Sequence, residues 1–133
     1  MKKIKIFLVI GNNNLREAIQ TLIEVKIGYL VVGSISNPLE LLSYSNICSS
    51  DVIILDMSLE ESDAFLVAKQ LLENNHRLNI LALSMNNESL HLLDLVFAGF
   101  KGCVMHNKLF EDLESAIIEI INGGLFYPNN IKL

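Results

Sequence analysis

Five short, mainly apolar runs recur along the 133-residue chain, each followed by an amphipathic or turn-bounded stretch. Strands alternating with helices, joined by connections this short, fold as a parallel sheet with right-handed crossovers and helices on both faces. Ile4 to Ile10 is nearly continuous in apolar character, as expected of a strand buried on both faces. Asn13 or Asn14 then caps a helix running to about Val25. Leu15, Ile19, Leu22 and Ile23 share one of its faces, and Arg16, Glu17, Gln20 and Glu24 take the other. Tyr29 to Val32 is the second strand, ended by Gly33, and Asn37-Pro38 opens a short second helix. Asp51 to Leu55 is the strand that belongs at the centre of the sheet. An acidic loop, Glu60 to Asp63, leads into a helix from Ala64 to about Asn75. Ile80 to Leu83 is the fourth strand, with Ser84 at its end. A helix from Asn87 to Ala98, stopped by Gly99, precedes the fifth strand, Lys101 to Met105. Leu109 to Asn122 is the last helix, ended by Gly123-Gly124. The fold class is therefore α/β, a doubly wound five-stranded parallel sheet of (βα)5 form.

Composition narrows the function classes. About half the residues are apolar, too many for a disordered chain. No apolar run approaches the ~20 residues of a membrane span. Lys2 and Lys3 before Ile6 to Ile10 resemble an export signal. The apolar stretch is short, however, and Gly11 leads into three asparagines with no small-residue cleavage site, so a buried strand and a cytoplasmic protein are expected. A net charge of −5 with scattered basic residues argues against this segment gripping nucleic acid by itself. Cys48 and Cys103 lie far apart without metal-ligand spacing, so two reduced thiols are expected and no zinc site.

In doubly wound sheets the functional crevice lies beyond the carboxyl ends of the strands. The residues that fall there are Ile10 and Gly11, Gly33 and Ser34, Asp56, Ser84, and Met105 with His106. Asp56 stands out because it follows four apolar strand residues, where an ionised group needs hydrogen bonds or a counter-ion. Two readings are open: a functional carboxylate, or a cap on its own loop that accepts backbone N–H groups of Met57 or Ser58. No GxGxxG or Walker sequence is present, Gly11 to Asn14 lacks the hydroxyls of a flavin-phosphate loop, and nothing places a base beside Ser84. An enzyme is not expected.

The segments Leu15 to Ile19, Asp51 to Asp56, Ile80 to Met85, Ala98 to Gly102 and Asn122 to Gly124, taken in order and spacing, resemble a response-regulator receiver domain of the LuxR/NarL class. The resemblance runs from Ile4 to Pro128 and implies a flavodoxin-like receiver topology. It makes residues 1–128 a receiver-like domain, and 129–133 a tail or the start of a linker to an absent output domain. It also implies a chemistry. A histidine kinase passes a phosphoryl group to Asp56, an acidic pair after strand one binds Mg²⁺ with it, Ser84 bonds the phosphoryl oxygen, a Lys after strand five contacts it, and an aromatic on that strand switches rotamer. Such transfer rests on positioning and charge neutralisation. Here the acidic-pair positions carry Ile10 and Gly11, the Lys position carries His106, and the aromatic position carries Cys103. Too few anionic oxygens remain for a hard divalent cation, so no metal or other cofactor is expected.

The helix over 87–98 is unusually apolar, and by the resemblance Leu90 and Phe97 fall at positions usually charged and exposed; Ile118 on the last helix does the same. An exposed apolar strip marks a partner surface. The expected function is a phosphorylation-independent receiver that dimerises through its fourth and fifth helical segments and regulates transcription. DNA would be reached only through a C-terminal output domain, and no membrane partner is expected. The alternative is a working phosphoacceptor, modified on Asp56 by a histidine kinase through an unusual pocket.

Overall fold

The computed structural model describes residues 2–26, 28–43, 49–57, 61–84, 91–129 and 131, with backbone only at 61–63. Cys48, Ser58, Glu60, Leu90 and the predicted helix start at Asn87 lie outside the described residues. Five strands form one parallel sheet: β1 (Ile4–Val9), β2 (Tyr29–Ile35), β3 (Val52–Asp56), β4 (Ile80–Ser84) and β5 (Gly102–Met105). Their order is β2-β1-β3-β4-β5. The winding direction reverses between β1 and β3, which opens the crevice at their carboxyl ends. The described helices are α1 (Asn13–Glu24), α2 (Glu61–Asn74), α3 (Leu92–Ala98) and α4 (Leu109–Ile121), with 3₁₀ turns at Pro38–Ser43 and His106–Lys108. The Pro38 turn is the second helical segment of the winding, so α3 and α4 are its fourth and fifth.

Side-chain alternation sorts each strand between two cores. Ile6, Leu8, Ile10, Val52, Ile54, Leu81, Leu83 and Val104 pack on one face against Ile19 and Ile23 of α1 and Leu113, Ala116, Ile117 and Ile120 of α4. Phe7, Val9, Ile53, Leu55, Ile80, Ala82 and Cys103 face the other way, toward Leu41, Ala64, Val67, Ala68, Leu71 and Leu95. Both faces are covered, and this is why the strands read as continuous apolar runs rather than alternating ones.

Several boundaries differ from expectation. Asn12, not Asn13 or Asn14, caps α1: its side chain accepts the Leu15 N–H at 2.9 Å. β2 does not stop at Gly33 but continues to Ile35, because the glycine serves a close approach inside the strand. A Cβ on Gly33 would collide with the ring of Phe7. Gly33 and Ser34 therefore pair with Phe7 and Leu8 within the sheet instead of lying in the crevice. The backbone at 61–63 is already helical, so α2 begins inside the stretch read as an acidic loop. Gly99 ends α3 with φ 94°, a left-handed cap that glycine adopts without strain.

After α4 the chain turns back along the outer edge of β5. Phe126 bridges Gly102 in parallel, its carbonyl accepts the Cys103 N–H at 2.8 Å, and its own N–H donates to the Lys101 carbonyl at 3.1 Å. Ile131 is buried in the core on the α2 side, so packing continues three residues past 128.

Candidate functional site

The carboxyl ends of β1, β3 and β4 bring together Ile10, Gly11, Asp56 and Ser84. Ile10 is held in register beyond β1 by its N–H, which donates to the Ile35 carbonyl at 3.0 Å. Asp56 pairs with Leu83 across β3 and β4, and Ser84 follows directly. Both polar side chains are buried, Asp56 at 3% exposure and Ser84 at 2%. Such groups persist in an interior only where the fold supplies polar partners.

One partner of Asp56 comes from across the sheet. The Gly11 N–H lies 3.4 Å from its Oδ2. The Met57 N–H, one of the two donors considered for a loop cap, donates instead to the Leu83 carbonyl at 2.9 Å, since the chain past Asp56 continues the β3–β4 ladder. Ile10 and Gly11 carry no side-chain oxygen, so this corner presents Asp56 with a backbone donor where an acidic pair would present anions. Among the described residues no group of three acidic, histidine or cysteine side chains is arranged to hold a metal ion.

The remaining expected positions lie on β5, the turn after it and the helices α3 and α4. Cys103 lies opposite Ala82 and is wholly buried in the core on the α2 and α3 side, with its thiol pushed up to about 12 by burial. A neutral, enclosed thiol of this kind is a packing residue rather than a nucleophile. His106 opens the 3₁₀ turn after β5 and is exposed. Lys108 pairs with Glu111 at 3.2 Å on the surface. Phe97 on α3 is 83% and Ile118 on α4 44% exposed, and Leu125 after α4 is exposed as well.

Sequence reasoning missed two features. Arg16, placed on the solvent face of α1, is half-buried and folds back so that its Nη1 donates to the Ile10 carbonyl at 2.8 Å. Its signal was present: a cation in the first turn of a helix opposes the helix dipole and needs a compensating contact. Val25 and Phe110, 70% and 85% exposed, form a second apolar surface over α1 and α4. They line a groove with Ala18, Thr21 and Leu22.

This geometry coincides with a match of residues 6–118 to the response regulator receiver domain model. The chain belongs to that family. The receiver is 25% identical over 129 residues to the fimbriae Z protein of Salmonella typhimurium strain LT2, a match that covers 97% of the chain and 61% of that relative. It thus spans about three-fifths of the relative's length. Its fold is also that of the isolated REC domain of RcsB from Salmonella enterica serovar Typhimurium in the apo form, with a TM-score of 0.83, 22% identity and coverage of 96% and 94%. A two-component response regulator of the LuxR family from Aurantimonas sp. SI85-9A1 superposes with a TM-score of 0.86 at 23% identity, covering 98% of this chain and 93% of that one.

Proposed function

We propose that this receiver works without metal-dependent phosphorylation, as a cytoplasmic dimerisation and regulatory module for a DNA-binding output domain. The observation that carries the reading is the corner around Asp56, where Ile10 and Gly11 offer one backbone N–H at 3.4 Å and no side-chain oxygen. Phosphorylation of Asp56 would exchange a carboxylate for an acyl phosphate that carries about one further negative charge, at a site 3% exposed. An anionic phosphoryl donor must also approach the Asp56 carboxylate, and like charges about 4 Å apart at an effective dielectric near 20 cost about 4 kcal/mol per pair. Mg²⁺ prefers octahedral oxygen ligation, and Asp56 with two residues that lack side-chain oxygens does not fit it. His106, at the position where the family has a lysine, is exposed at the start of a turn. The role is that of a signalling module rather than an enzyme. RcsB, whose receiver shares this fold, is solved as dimers bound to DNA, which supports an output domain that reaches DNA on this receiver's behalf.

A second reading has its own support. Asp56 and Ser84 sit on adjacent strands, both buried, in the arrangement a phosphoacceptor and its hydroxyl partner would need. A histidine kinase would then be the partner. Incubation with acetyl phosphate and Mg²⁺, followed by intact mass measurement, separates the two. The expected result is no phosphate adduct. An adduct that disappears in Asp56→Asn would establish the phosphoacceptor reading instead.

A further inference from the structure

The Gly11 N–H that faces Asp56 and the Ile10 carbonyl that accepts Arg16 belong to one peptide unit. In a planar trans peptide these two groups point in opposite directions. A guanidinium therefore stands at one end of the unit and a carboxylate at the other. A cation on the carbonyl oxygen polarises the peptide and makes its N–H a stronger donor, as in any hydrogen-bonded chain in a low-dielectric setting. Two further observations set Arg16 apart from an ordinary surface arginine. It occupies the start of α1, where the helix dipole disfavours positive charge, and no acidic side chain in that first turn compensates it. Its side chain is also half-buried, turned back over the end of β1.

We propose that Arg16 is a positioning residue that acts through the Ile10–Gly11 peptide as a resident countercharge of Asp56. It supplies from within the chain part of the compensation that a bound cation would supply from outside. This role rests on the reading that the corner does not recruit Mg²⁺. A purely structural role would be confined to satisfying the Ile10 carbonyl, with no link to Asp56.

A double-mutant cycle on the folded protein, in EDTA and without any phosphoryl donor, distinguishes them. Arg16→Gln keeps a donor and removes the charge; Arg16→Lys keeps the charge. Each is made alone and combined with Asp56→Asn, and the thermal midpoint is read together with the Gly11 amide resonance. The expected result is that Arg16→Gln lowers the midpoint by about 3 °C and displaces the Gly11 amide, that Arg16→Lys does so less, and that both effects shrink markedly in the Asp56→Asn background. Equal losses in both backgrounds, with the Gly11 amide indifferent to residue 16, would overturn the proposal. Should Arg16→Gln fail to fold, the Arg16→Lys pair and its amide shift give the same comparison. Because no phosphoryl donor is present, an adduct in the mass experiment leaves this coupling to be judged separately.

Discussion

Cys103 and Tyr127 show how burial at single residues becomes a property of the whole protein. Burial pushes the Cys103 thiol up to about 12 from an ordinary 9.0. The Tyr127 phenol also rises to about 12 from 10.0, chiefly by burial and then by the nearby Cys103. Its hydroxyl donates to the Phe100 carbonyl at 2.7 Å, a bond that holds the returning chain against the start of β5. Both groups stay protonated in the folded chain at pH values where the unfolded chain has lost those protons. Their contribution to stability is thus fully present below about pH 9 and declines as pH rises toward 12. The slope is at most about 1.4 kcal/mol per pH unit for each proton. Urea midpoints between pH 8 and 11 are expected to fall, and Cys103→Ala to flatten the part that begins near 9. A midpoint independent of pH over that range would contradict the assignment.

At the scale of elements, the pairing of β1 with β2 depends on one glycine. Ile6 pairs with Val31 and Phe7 with Gly33, so Val32 is an extra residue in a bulge. The bulge brings Gly33 against the fully buried ring of Phe7, which has no room to retreat. Gly33→Ala is expected to destabilise the fold by about 1–3 kcal/mol through overpacking, measured by urea denaturation. Phe7→Leu in the same chain should recover part of that loss. No change in Gly33→Ala would mean that β1 and β2 separate freely at the bulge. The glycine was visible in the sequence, but glycine ends strands as readily as it admits a neighbour into them. Only the position of Phe7 on the adjacent strand decides which.

For the whole molecule, the proposed dimerisation turns on which exposed apolar surface another copy would use. Phe97 and Ile118 are exposed on α3 and α4, while Phe110 and Val25 line one groove over α1 and α4. The first pair lies where the receiver resemblance leads one to expect an interface. The second emerged only from the packing of α4 on the sheet. Phe97→Glu is expected to weaken self-association by at least about tenfold in sedimentation experiments, because a charge would be buried at the contact. Phe110→Glu should leave it nearly unchanged. The opposite pattern would move the interface to α1 and α4.

The sequence by itself determined the layered α/β fold, because five apolar runs need cover on both faces and short connections allow few ways to provide it. It also determined that Asp56 and Ser84 are polar groups at buried strand ends, and that Ile10 and Gly11 bring no oxygen to them. What surrounds Asp56 was decided only by tertiary structure. Periodicity sent Arg16 to solvent and local geometry offered Met57 as a cap. The packing of α1 on β1 instead placed the guanidinium on Ile10, and the β3–β4 ladder took the Met57 N–H. Helical and strand periods report which face a residue occupies. They carry nothing about which backbone atoms from 45 residues away will stand opposite it, and the partner of a buried charge is chosen there.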